Sequence, residues 1–352
     1  MSWNLSLTSG GLQGRSFVRF WTLNSRAFFL RVAYLCLAFP LILALSLRPI
    51  PTQGSTNDTG RYVANQAEAC ALPALTADAA PSLPQRVFNV IMRPTCWVPV
   101  PAVFLFLAGI SIPLALVLFG RWGHQACLLI AVSVLLSTVG FEFATNTLRE
   151  GVSMIFLLAA FASGNRYVRI AALAAALLIH DSGWFYAPLV FLMVSKSQKV
   201  SIRTVILWGI PLLAGLGYLV ALRFASKFTG ISGAFDYYRG SYELEVSPAF
   251  LLFIIAPLFF IFAVRWLDKR SLISHEERLA FWYSAALLIC SLVIFPAITY
   301  RFAMAAILIQ LFFVMRSPTL SVKSAAAIFL GMLAHFAFFA FWAKNVMIVL
   351  HG

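Results

Sequence analysis

Long apolar runs separated by short polar clusters dominate the chain. They lie at about 32–47, 101–119, 125–143, 148–164, 168–181, 182–194, 203–222, 249–264, 279–298, 302–315 and 324–343. Most are long enough to cross a hydrocarbon core of about 30 Å at ~1.5 Å per helical residue. None alternates with period two, which excludes an outer-membrane barrel. The pattern predicts an all-α, polytopic integral membrane protein, a single membrane domain over residues 1–352 with about 11 transmembrane helices. The first span begins near Ala27, with the amino end in the cytoplasm. A cleaved signal peptide competes for the 32–47 run; the long lead-in and the lack of a small-x-small site weigh against it.

Two polar stretches interrupt the runs as larger external loops, residues 48–100 and 223–248. The runs at 168–181 and 182–194 are short for a full crossing. They meet at His180-Asp181-Ser182-Gly183-Trp184, which predicts a tilted hairpin whose tip lines a recess, because polar groups at that depth must face a cavity or be buried in protein. The run at 302–315 is equally short and starts right after Tyr300-Arg301.

Composition agrees with this class. Of 352 residues, 61% are hydrophobic and 11% charged, with mean hydropathy +0.89. In a soluble protein a net charge of +14 would point to nucleic acid. Here topology explains it: the cytoplasmic segments collect most Lys and Arg, against only Asp268, Glu276 and Glu277. The exceptions are the arginines placed outside, at 48, 61, 86, 93, 149, 223, 239 and 301. An anionic substrate supplies a reason for them. There is no Cys/His set at zinc spacing, no P-loop and no dinucleotide turn, so no metal or cofactor is expected. Internal repeats of the transporter kind are also absent. Among the five cysteines, Cys36, Cys127 and Cys290 fall in spans; Cys70 and Cys96 share the first external loop and are expected to form a disulfide.

One stretch differs most from its surroundings, Phe141 to Glu150. If 142–150 is helical, Glu142, Asn146, Arg149 and Glu150 share one face. Ionisable groups at a membrane margin are costly, so their default reading is functional. The competing reading of Arg149 is an internal ion pair with Glu142 or Glu150. In the second external loop, Tyr238 and Arg239 sit in a Tyr/Asp/Arg/Gly-rich run suited to stacking on sugars; an interfacial aromatic belt fits equally well.

Three motifs then resemble a known family. The loop Arg48-Pro49 with Asn57-Asp58-Thr59-Gly60-Arg61-Tyr62, the signature Asn146-Thr147-Leu148-Arg149-Glu150, and Ile179-His180-Asp181-Ser182 are similar, in order and spacing, to the EpsG-like and Wzy-like polysaccharide polymerases. The likeness covers about residues 27–195. It departs at Asn57, where glycine is usual, at Glu150, where glutamine is usual, and at Asp181. The resemblance implies polymerisation of undecaprenyl-pyrophosphate-linked repeat units at the periplasmic face of a bacterial inner membrane. No nucleotide sugar or metal is implied; a chain-length regulator protein is a candidate partner, and nucleic acid is not. Charge on the leaving pyrophosphate would fall to arginine, Arg149 first, with Arg48, Arg239 and Arg301 behind it. Tyr62 and Asn146 would assist in binding. His180, Asp58, Glu142 and Glu150 all remain candidates to accept the hydroxyl proton. For Asp58 an Asx turn is the alternative, and His335 reads as a core residue.

Other classes are weaker. A ligase to lipid A core would carry a His in its late external loop, a flippase would show broken-helix pairs, and an O-acyltransferase would need a cytoplasmic His. A strain lacking the gene separates them: single repeat units still at the surface mark a polymerase, no surface sugar marks a flippase, and normal chains lacking acetyl groups mark an acyltransferase. Arg149→Lys is expected to abolish long-chain product while membrane insertion persists, because a point charge cannot replace a bidentate fork. Unchanged long chains on a polysaccharide gel would remove Arg149 from the site.

Overall fold

The computed structural model describes residues 25–46, 93–97, 109–122, 124–145, 147–180, 182–194, 248–268, 273–294 and 296–351, with a few isolated positions between 70 and 107 and at 217. Among the described residues there is no strand. The helices are α1 (Ser25–Ser46), α2 (Ser111–Phe119), α3 (Gln125–Leu135), α4 (Thr138–Thr145), α5 (Leu148–Ala162), α6 (Arg166–Ile179), α7 (Ser182–Val194), α8 (Pro248–Leu267), α9 (His275–Ile294), α10 (Pro296–Arg316) and α11 (Val322–His351). A 3-10 turn covers Arg93–Trp97. Cys96 lies in that turn and is joined to Cys70 by a disulfide, with the Cα atoms 5.5 Å apart. The span expected at 203–222 and the loop at 223–248 fall almost wholly outside the described residues.

Four of these helices are long and apolar enough to cross a membrane: Arg26–Leu45, Phe250–Leu267, Thr299–Arg316 and Val322–Ala340. Among the described residues the chain is thus helical and of membrane-spanning character. Helix α1 shows why such a segment needs lipid. Phe29 and Phe39 stand exposed on it, while Tyr34, Ala38 and Ile42 turn inward. In water such an exposed aromatic and aliphatic face would be costly.

Helix α10 is the axis of the bundle. It packs against α8 and α9 and against α3, α4 and α5. Every residue from Phe302 to Met315 is buried. A helix apolar all round is one that lies inside protein or membrane. The expected start after Arg301 is corrected: α10 begins at Pro296, a residue preset for the first helical position, so Tyr300 and Arg301 sit inside its first turns. The expected single run at 125–143 is also two helices, α3 and α4, parted at Leu136 and Ser137. Ser137 Oγ donates to the Val134 carbonyl at 2.8 Å and closes that break.

The helices run back and forth, so two sets of ends form. At one set lie the C-terminus of α8, the N-terminus of α9 and the α10–α11 turn. There Arg265 and Glu277 form a fully buried ion pair, Nε to Oε2 3.0 Å and Nη2 to Oε1 3.2 Å. Arg265 Nη2 also donates to Ser317 Oγ at 3.0 Å. Asp268 accepts from the hydroxyls of Ser321 and Ser324, tying α8 to the start of α11. The run Ser274-His275-Glu276-Glu277 has the spacing of a capping box, and Ser274 Oγ does accept from Glu277 N–H at 3.1 Å. The Glu277 carboxylate, however, is drawn to Arg265 in place of its own helix end.

This pair locks α8 to α9. Removing one partner leaves a buried charge uncompensated, at a cost of about 3–5 kcal/mol. Arg265→Met is therefore expected to lower the unfolding temperature of the detergent-purified protein markedly, and the double change with Glu277→Leu to recover most of it. Equal destabilisation by single and double variants would show that the pair is not coupled.

Candidate functional site

The other set of helix ends gathers the polar residues singled out in the sequence. The link between α4 and α5 is the first determinant. Residues 142–150 do not form one helix: α4 stops at Thr145 and α5 starts at Leu148. Thr147 closes the break, its N–H donating to the Glu142 carbonyl at 2.8 Å and its Oγ1 to the same oxygen at 3.2 Å. A threonine at a helix start ordinarily caps that helix; here its hydroxyl turns back to α4. The shared helical face expected for Glu142, Arg149 and Glu150 is thus replaced by a corner. The corner still buries Glu142 and Glu150, which are 3% and 1% exposed.

Glycines set how closely the corner can fold. A Cβ on Gly151 would sit 3.2 Å from the Phe143 carbonyl oxygen, so a side chain there would push α5 and α4 slightly apart. Ser153 Oγ donates to the Ala176 carbonyl at 2.9 Å and fixes α5 to α6. The α6–α7 hairpin is equally tight, since a Cβ on Gly183 would meet the backbone of Ala176 and Leu177 at 3.2 Å. The predicted short hairpin is present, with His180 at its turn.

His180 is buried and held locally. Its N–H closes α6 on the Ala176 carbonyl at 3.1 Å, and its carbonyl accepts from Gly183 N–H at 3.1 Å. Its ring Nδ1 accepts from the Ser182 backbone N–H at 3.1 Å and lies 2.8 Å from Ser182 Oγ. Helix α7 is fastened in turn to α10, where Tyr186 donates to the Phe302 carbonyl at 2.8 Å and the Phe185 and Phe302 rings lie 4.5 Å apart.

Arg301 and Tyr300 come to this corner from the axis of the bundle. The Tyr300 hydroxyl bonds the Glu142 carboxylate. Its ring stacks on Phe253, which also stacks on His335. Glu150 lies within the field of both Arg301 and Arg149, Arg301 acting the more strongly. The same two cations reach His180. Ser182 approaches the Glu150 carboxylate, but neither carboxylate oxygen completes a hydrogen bond of normal geometry among the described residues. A buried carboxylate without donors is expensive even beside cations. Sugar hydroxyls are the kind of donor that would satisfy it.

Of the residues predicted from sequence, Glu142, Arg149, Glu150, His180 and Arg301 therefore converge. Arg48, Asp58, Tyr62, Asn146, Tyr238 and Arg239 lie outside the described residues. His335 is fully engaged, Nε2 with the Phe253 carbonyl at 2.9 Å and Nδ1 with Thr138 Oγ1 at 3.2 Å, as suits a core histidine. Sequence reasoning gave no role to Tyr300 or Ser182. Their signals were local: a phenol next to the outlying arginine, and a hydroxyl two residues after the histidine. No group of three or more potential metal ligands occurs among the described residues.

The EpsG family matches residues 86–349, a range that contains all five converging residues. No curated protein and no solved structure matches the chain.

Gly183→Val places two methyl groups where only backbone fits, and overpacking of this kind costs about 1–3 kcal/mol. The unfolding midpoint of the purified variant is expected to fall. An unchanged midpoint would mean that α6 and α7 do not meet this closely.

Proposed function

The chain belongs to the EpsG family, and from that premise we propose that it polymerises lipid-linked oligosaccharide repeat units into a polysaccharide. The family carries the coarse reading, a polysaccharide polymerase-like membrane protein. The finer one is our own: the donor is a glycan on undecaprenyl pyrophosphate, the acceptor a second lipid-linked unit, and the reaction runs at the periplasmic face of a bacterial inner membrane.

The observation that supports this most is the pairing of two guanidiniums with a buried carboxylate and a buried imidazole at one end of the bundle. In the proposed reaction the acceptor hydroxyl oxygen bonds the anomeric carbon of the growing chain. The bond from that carbon to the pyrophosphate oxygen breaks, and its electron pair leaves with the lipid pyrophosphate. Arg149 and Arg301 offset the charge that develops there, acting in a site sheltered from bulk water where such stabilisation is strongest. The hydroxyl proton passes to a nearby acceptor, for which His180, Glu142 and Glu150 are placed. Arg48, Tyr62, Asn146 and Asp58, within the family resemblance, and Tyr238 and Arg239, from the composition of the second external loop, are assigned to binding and to proton handling. A chain-length regulator would act on the outer surface.

The test is reconstitution. Purified protein given one defined undecaprenyl-pyrophosphate-linked repeat unit is expected to yield a ladder of longer glycans with release of undecaprenyl pyrophosphate. Arg301→Lys is expected to lower the rate by about 10²–10³ with the protein still folded, the scale seen when one transition-state donor is lost. Full-rate polymerisation by that variant would exclude Arg301 from the site; no product from the wild-type protein would overturn the reading.

A further inference from the structure

Thr138 and Glu142 lie four residues apart on α4, so their side chains share one face of that short helix. Both are buried, at 0% and 3% exposure. Each meets a ring from another helix. His335 of α11 stands with Nδ1 3.2 Å from Thr138 Oγ1 and Nε2 2.9 Å from the Phe253 carbonyl oxygen. A carbonyl only accepts, so in the neutral ring Nε2 carries the proton and Nδ1 takes the threonine hydrogen. Tyr300 of α10 bonds the Glu142 carboxylate, one turn along from Thr138. A third ring ties these two together. Phe253 of α8 stacks on Tyr300 at 5.8 Å with 13° between the planes, and on His335 at 4.9 Å and 17°. Phe339 stacks on Phe253 as well, at 5.2 Å. Three helices thus converge on one face of α4 and leave the phenol little freedom.

We infer that Tyr300 is a positioning residue, braced by the Phe253 and His335 rings, that orients the Glu142 carboxylate so that Glu142 takes the proton of the acceptor hydroxyl. This rests on the polymerase reading and chooses among the proton acceptors that reading leaves open. A carboxylate has two oxygens and several lone-pair sites. One hydroxyl from Tyr300 fixes its plane and leaves room for a second hydroxyl, that of a sugar. Glu150 is placed for a different task. It lies in the field of Arg301 and Arg149 and is approached by Ser182. A proton there would remove the negative charge that offsets two cations in a buried site. His180 lies within reach of the same two cations, and a proton on it would add a third positive charge. Glu142 is the acceptor that remains. Arg301 follows Tyr300 directly, so one turn of α10 carries both the group that orients the base and a guanidinium for the leaving group. In the step itself the acceptor O–H bond breaks, its proton moves to a Glu142 oxygen, and the acceptor oxygen bonds the anomeric carbon. The bond from that carbon to the pyrophosphate oxygen breaks with its electron pair on oxygen. Glu142 returns the proton to water after the product leaves.

A double-mutant cycle tests this in the repeat-unit assay, with the full-length protein in liposomes. Glu142→Gln keeps the shape and lacks the base, and kcat is expected to fall at least ~100-fold. Tyr300→Phe keeps the stacked ring and loses the hydroxyl. It is expected to lower kcat by roughly tenfold while KM stays within about twofold. With Glu142→Gln already present, Tyr300→Phe is expected to cost less than about twofold more, because no base is left to orient. An equal loss in both backgrounds would reduce Tyr300 to packing and overturn the inference. Near-normal kcat in Glu142→Gln would overturn it as well.

A second measurement needs no turnover. In infrared spectra of isotope-labelled protein, the carboxylate band that disappears in Glu142→Gln is expected to shift in Tyr300→Phe, and a tyrosine band is expected to shift in Glu142→Gln. Either variant decides the contact if the other does not fold, and bands that stay in place overturn it. If the wild-type protein makes no polymer, the polymerase reading fails, while the contact between Tyr300 and Glu142 is still decided by the spectra.

Discussion

Burial of charge at the α4–α5 corner is the constraint on which the rest of the structure depends. Two carboxylates and two guanidiniums are brought together where water is largely excluded, an arrangement that folding alone does not favour. It is held by packing that has little freedom to adjust. Helix α10 is buried from Phe302 to Met315 and carries the half-buried Tyr300 and Arg301 in its first turns. Gly151 and Gly183 allow α5 and α7 to approach their neighbours at backbone distance. Tyr186 and Ser153 bind neighbouring helices through the Phe302 and Ala176 carbonyls, and Thr147 ties the corner to the Glu142 carbonyl. Rigid helices thus carry the charged groups, which favours fixed geometry over loop-borne adaptability.

The two ends of the bundle use buried charge differently. At the Arg265 end the carboxylate and guanidinium are matched two bonds to two, and hydroxyls take up further donors. Such a pair orders helices and needs no ligand. At the Glu150 end two cations act on one buried carboxylate that Ser182 approaches, without the two-bond match that Arg265 and Glu277 make.

Much of this was legible in the sequence, for reasons that can be traced. Apolar runs of spanning length gave the all-helical class because the bilayer dictates that length. The misplaced arginines at 149 and 301 stood out against the charge asymmetry of the loops, and His180 stood out at a turn too shallow for lipid. What escaped was geometry set by tertiary contact. The start of a new helix at Leu148 depends on Thr147 choosing the Glu142 carbonyl over its own helix. Glu277 matched a capping spacing whose carboxylate the fold diverts to Arg265. The first turns of α10 read as loop because Thr299, Tyr300 and Arg301 are polar, although the helix had already begun at Pro296. Ser182 had no role in the sequence, and its contact with the His180 ring arises from how the turn folds.

The account's central claim is that the lipid pyrophosphate is bound at the Glu150 end of the bundle. A photoactivatable undecaprenyl pyrophosphate analogue, cross-linked to the protein in liposomes and mapped by mass spectrometry, tests it most directly. Labels are predicted at the start of α5, the α6–α7 turn and the start of α10, with competition by unmodified lipid-linked repeat unit. Labels confined to the Arg265 end, or unaffected by that competitor, would contradict it.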